Sequence, residues 1–185
     1  PAIAYSNQGI GFWSIKKSLD KLDITAGYIY DQFGSGQIFR AYVDNLIGLD
    51  YAMQGVRMQY NFSDNFFVKA FSGQQKGFLN LSTNEDTRFK MSPQVMQGIN
   101  SEYFWLLNSD WSFNFGAAAV KRNLDQATMN QLVGQINALP LSERFTPKYN
   151  TYAYSAYSTI NYKNFSLYLE YSGKTAEALR DPLDV

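Results

Sequence analysis

Eight stretches of alternating polarity are joined by connections that are by turns very short and very long, and this rhythm restricts the fold more than any other feature of the chain. The short connections hold about two to four residues and the long ones roughly 15 to 25, with the ends of each stretch read loosely. The stretches are residues 10–19, 22–31, 52–62, 66–76, 95–107, 111–121, 152–162 and 165–172. In the second, Leu22, Ile24, Ala26, Tyr28 and Tyr30 oppose Asp23, Thr25, Gly27 and Asp31, and only Ile29 interrupts the pattern. That is period two, the signature of a strand with one apolar face. The third opposes Val56, Met58, Tyr60 and Phe62 to Gly55, Arg57, Gln59 and Asn61. The sixth sets Trp111, Phe113, Phe115, Ala117 and Ala119 against Ser112, Asn114 and Gly116. The first is ambiguous, and in the fourth Phe67 and Phe71 fall on the polar side.

A soluble meander or sandwich has no reason to alternate its connections in this way. An outer-membrane barrel does, because its periplasmic turns are short and its external loops long. Ten residues or so per strand is enough for a tilted crossing of the hydrocarbon layer. Tyr60, Phe62, Phe66, Tyr103, Trp105, Trp111, Phe113, Tyr162 and Phe165 flank the short turns, where amphipathic rings would form an interfacial girdle. The expected fold is therefore all-β: an antiparallel transmembrane β-barrel of which about eight strands are present, with one short loop helix. That helix is read from Met129, Leu132, Val133, Ile136 and Leu139, which recur at helical spacing before Pro140. A soluble β-sandwich or adhesin-like binding module is the alternative architecture.

Composition narrows the function classes. Sixteen basic and sixteen acidic residues cancel, so nothing favours nucleic acid as a partner. Aromatics make up 17% of the chain, and charged residues, also 17%, fall below the roughly 25% usual in soluble domains. With neither Cys nor His there is no thiolate or imidazole for catalysis or metal ligation, and no cofactor is implied. A carboxylate dyad of Glu102 and Glu170 is conceivable on residue type alone, but nothing in the pattern makes them neighbours; no catalytic activity is expected. No apolar run approaches the roughly 20 residues of a membrane-spanning helix. The chain opens without an initiator Met or a signal-like segment, so either a signal has been removed or the sequence is internal. If the first short turn is periplasmic, the first strand descends. A complete barrel starts on the periplasmic side, so a preceding strand is expected outside this sequence, and 174–185 holds no closing strand.

The candidate functional residues cluster in and around the first long connection. Asp31, Arg40, Asp44, Asp50 and Arg57 lie there, and the strand pattern turns Lys69, Glu102 and Glu170, with Asp23, toward a barrel interior. Two readings of this set stand side by side. Charges on a loop folded into the lumen could form a constriction that selects solutes; equally, they could be ion pairs that pin the loop to the wall. Gly34, Gly36 and Gly48 are expected to shape the loop through positive φ or close backbone approach. Gly34-Ser35-Gly36 lacks the Lys-Ser/Thr ending of a nucleotide-binding loop.

The same stretch carries a resemblance. Gly27-Tyr28-Ile29-Tyr30-Asp31-Gln32-Phe33-Gly34-Ser35-Gly36, then Arg40, Tyr42, Gly48-Leu49-Asp50 and Gly55-Val56-Arg57, resembles a family of Bacteroidota outer-membrane β-barrel proteins still described as a domain of unknown function. That family's motif reads Tyr-Glu-Gln-Phe-Gly-Ser-Gly, and Gly73-Gln74-Gln75-Lys76, Glu170-Tyr171 and Asp181-Pro182 are similar to its later segments. Asp31 stands where the family has glutamate, and Val43-Asp44-Asn45 where it has an acidic-acidic-arginine run. The resemblance implies a bacterial outer-membrane location and a barrel fold, without an activity. The expected partners are outer-membrane lipid and other subunits of an envelope complex, and the expected role is a structural subunit or a porin-like, solute-conducting channel.

Overall fold

A computed structural model describes residues 12–44, 46, 49–76, 79–80, 85–86 and 91–175. Its long strands are β1 (Ser14–Leu19), β2 (Leu22–Ile29), β3 (Met53–Ser63), β4 (Phe66–Lys76), β5 (Met91–Leu106), β6 (Trp111–Asn123), β7 (Asn150–Tyr162) and β8 (Phe165–Lys174). They form one eight-stranded antiparallel sheet in which every strand pairs with its neighbours in sequence. The sheet is not closed: β1 and β8 are its two edges. Residues 176–185, and with them the expectation that no strand closes the end, lie outside the described residues.

The local rules that make these strands are visible at the short turns. Asp20 and Lys163 take positive φ, 29° and 50°, as tight two-residue hairpins require. Between β5 and β6 the Asn108 side chain accepts from the backbone N–H of Asp110 and Trp111, closing the turn locally. The long connections fall on the opposite end of the sheet. That between β6 and β7 carries α1 (Gln126–Asn137), whose N-cap Asp125 accepts from the N–H of Ala127 and Thr128. The helix starts before the apolar periodicity does because the cap, not the first buried residue, sets its beginning.

Register divides the sheet into two faces of opposite character. One face carries Arg57 opposite Phe71, Lys69 opposite Asn100, Glu102 opposite Gly116 and Tyr157 opposite Glu170. The other carries Val56, Met58, Tyr60 and Phe62 of β3, Ile99, Tyr103 and Trp105 of β5, Phe115 of β6, and Leu167, Leu169 and Tyr171 of β8, all exposed. Along β2 to β8 the only charged side chains on this outward face are Lys76 and Lys121, both at the long-loop ends. The large apolar residues thus lie mostly outside, the reverse of a water-soluble core.

The polar face is concave and occupied. Phe33, in the connection after β2, packs on Phe71 of β4 with ring centroids 5.6 Å apart. Its neighbour Gly34 lies against Glu170 of β8 and Tyr157 of β7. On a flat sheet β4 and β8 would be about 19 Å apart at the usual strand spacing, and side chains stand nearly upright on a sheet. Consecutive residues cannot bridge that distance, so the sheet curls around the segment. Phe67 and Phe71, which looked misplaced in the sequence pattern, do face inward, and Phe71 serves there as apolar floor for the inserted loop.

Candidate functional site

The site is the contact between residues 31–41 and the concave wall. The segment begins as a two-residue ladder, Asp31 and Gln32 against Ala41 and Arg40. Phe33 N–H donates to the Phe39 carbonyl and Gly36 N–H to the Phe33 carbonyl, at 3.1 and 2.9 Å, which folds the tip into a compact turn. Gly34 has φ +53°, and a Cβ there would sit 2.9 Å from both the Glu170 carboxylate and the Tyr157 ring. Only glycine meets both demands, left-handed backbone and close approach to a wall. Gly36 also has positive φ, 91°, whereas Gly48 lies outside the described residues.

An apolar cluster holds the middle of the insert. Phe33, Phe39 and Phe71 stack within 4.1–5.6 Å of one another, and Ile29, Ala41, Met53, Ala118 and Val120 complete the buried group. Aromatic pairs of this kind contribute about 0.5–1.5 kcal/mol each beyond their buried area.

Charge holds its base. Asp31 binds Arg57 of β3 at 2.5 Å and Lys69 of β4 at 3.3 Å, with all three side chains 13–22% exposed. Arg57 continues to Gln59 at 2.9 Å, and Gln59 to Asn61 at 3.0 Å, so a hydrogen-bonded row runs down the inward side of β3. On the far wall the Ser35 N–H donates to Glu170 at 3.0 Å, and the Tyr168 hydroxyl donates to the same oxygen at 2.6 Å. The Ser172 hydroxyl donates to the Gln37 side chain at 2.6 Å. The insert is thereby tied to both halves of the sheet.

A buried polar network lies beneath it. The Tyr157 hydroxyl sits 2.9 Å from Asn100 and 3.0 Å from Glu102, and Asn100 donates to Glu102 at 3.0 Å. Tyr157 is on β7 and its partners are on β5, so its ring must cross β6. It crosses over Gly116, where a Cβ would lie 2.1 Å from the ring. Asn100 is fully buried, and without Tyr157 its amide oxygen would lose this hydroxyl partner.

The candidate residues do not form one constellation. Asp31, Arg57 and Lys69 meet. Asp50 belongs to a separate group at the long-loop end, where it binds Lys76 at 2.5 Å and accepts from the Tyr30 hydroxyl at 3.0 Å. Local burial and that bond to Asp50 push the Tyr30 hydroxyl up to about 12. Asp44 caps its own turn through the Leu46 N–H. Arg40 lies 4.2 Å over the Tyr42 ring. Glu102 and Glu170 face the same interior on β5 and β8 but engage different partners, Asn100, Asn114 and Tyr157 for one and Ser35 and Tyr168 for the other. Sequence reasoning missed Phe33, Phe39, Asn100, Tyr157 and Lys76 as site members. A signal for Tyr157 was available in Gly116, since a glycine inside a strand marks a close approach. Among the described residues no group of acidic side chains is arranged to hold a metal ion.

Comparison with known families places the chain. The family described as Family of unknown function (DUF6029) matches residues 2–184, and the chain belongs to it. The search of curated proteins returns no match.

Proposed function

We propose that this member of the family is a bacterial outer-membrane β-barrel protein whose inserted loop makes it a plugged structural subunit of an envelope complex rather than an open pore. One observation carries the membrane part: an aromatic-rich outward face, whose only charges along β2 to β8 are two lysines at the long-loop ends, opposed to a charged, hydrogen-bonded inward face. Charges facing lipid are costly, whereas inside a barrel they pair or meet water. β3 and β4 have 11 residues each, β6 and β7 have 13, and β8 has 10, lengths that suit a tilted crossing. On this reading the open edges at β1 and β8 join, directly or through further strands, within the membrane.

The plugged role is supported by the anchoring of residues 31–41 to both walls, which favours a fixed scaffold over a loop that opens to solute. The reading includes no catalytic step. Fractionation of the protein from its native envelope tests it, together with electrophoresis before and after boiling. A membrane-fraction band whose mobility changes on heating is the expected result, with little conductance in planar bilayers. A soluble monomer would overturn the barrel and favour an adhesin-like module; steady, high conductance would overturn the plug and favour a channel.

A further inference from the structure

We propose that the cavity between the tip of the inserted loop and the long-loop ends of β6, β7 and β8 binds a small organic carboxylate with an apolar body. The cavity has a volume of about 410 Å³, inside the range of about 300–1,000 Å³ typical of small-molecule sites. Its composition separates into two parts. Ile38 of the insert, Met96 of β5 and Val120 of β6 supply an apolar floor. Arg122, Thr151 and Lys174 supply the polar rim, one from each of β6, β7 and β8.

Register brings that rim together. Arg122 lies directly opposite Thr151, and Lys174 opposite Ala153, so two cations on the strands flanking β7 project from the same concave face. Both already take part in interactions within the chain, so a ligand would join a network rather than meet bare charges. Gln37 adds a donor. Its side-chain oxygen accepts from Ser172 at 2.6 Å, and the amide NH2 is therefore the end not engaged by Ser172. Among the described residues no Asp or Glu lines the cavity.

Two cations, an amide donor and a hydroxyl, with no Asp or Glu among the described lining residues to repel an acid, favour negative charge. A guanidinium offers a carboxylate two parallel hydrogen bonds, which fixes its orientation. The floor then takes the hydrocarbon part, which a bare inorganic anion would leave empty. The site lies on the concave side, so it stands whether or not lipid covers the outer face.

Calorimetric titration of the full chain with phenylacetate, phenylacetamide and sodium phosphate tests this. Phenylacetate is expected to bind at least tenfold more tightly than its neutral amide and than phosphate, and Arg122→Gln is expected to abolish the preference over the amide. Equal binding of acid and amide, or no binding of either at millimolar concentration, would overturn the site. Phosphate binding as tightly as phenylacetate would overturn its apolar half. The decisive comparison uses the unaltered chain, so it holds even if a variant does not fold.

Discussion

The two best-described long connections leave the same end of the sheet and meet opposite fates. Residues 31–41 of the first enter the concave face and bury Phe33 and Phe39, while 124–149 stays outside and buries little beyond Leu124, Met129 and Ile136. Leu141 and Phe145 of the second remain exposed. The difference lies in what each loop offers the wall. The first has aromatic side chains beside glycines in positive φ, and a carboxylate whose cations wait on β3 and β4. The second satisfies its own backbone: α1 is capped by Asp125, and Arg144 donates to the carbonyls of Asn137 and Leu139. A loop that solves its hydrogen bonding locally has no need of the interior, whereas one that cannot must be completed by the sheet.

If this contrast is right, its largest consequence is at Phe33, which is 1% exposed. Phe33→Ala should cost about 3–5 kcal/mol of unfolding free energy, as for other buried rings truncated to Ala. Urea titration followed by tryptophan fluorescence measures it. The matching truncation Ile136→Ala, in the self-contained loop, should leave the sheet's transition in place; equal losses at both positions would erase the distinction.

A smaller effect is expected at the ion pair. Asp31→Asn leaves Arg57 and Lys69 facing each other without their shared carboxylate, at a cost of about 2 kcal/mol for a partly buried charged hydrogen bond. The swap Asp31→Arg with Arg57→Asp should recover only part of that, because Lys69 would then meet a new cation. Full recovery would show that Lys69 contributes nothing to the anchor.

The smallest effect belongs to the outer loop and is set by pH. Hydrogen bonds from Thr128, side chain first and then backbone, hold the Asp125 carboxyl below the usual carboxylate range. Its folded value lies under its unfolded one, so the cap stabilises α1 fully above about pH 4 and the contribution disappears as pH falls through the folded value. Circular dichroism should show helix signal lost in that acidic window with the strand signal retained, and Asp125→Ala should remove the pH dependence.

Much of the wall was legible in the sequence. Period two placed Val56, Met58, Tyr60 and Phe62 on one face and Arg57, Gln59 and Asn61 on the other, because alternation is a local property of extended backbone. It also foretold eight strands with short turns on one end, and the sheet has them. Closure into a barrel is a different matter: the sheet observed is open. The site was legible only in part. Asp31 and Arg57 stood out as charges near a glycine-rich turn, but Arg40 and Asp44, equally charged and equally close in sequence, engage only local partners. No local pattern distinguishes a carboxylate that reaches a distant strand from one that caps its own turn.

By itself, then, the order of residues determined which stretches are strands, which side of each is apolar and where the chain turns, since these depend on neighbours within a few positions. Only the tertiary structure decided that residues 31–41 fold inward, that Tyr157 crosses Gly116 to reach Asn100 and Glu102, and that Lys76 rather than Arg40 answers Asp50. Those outcomes depend on how the sheet curls and which strands it brings face to face. Curvature is a property of all eight strands together, and no single stretch carries it.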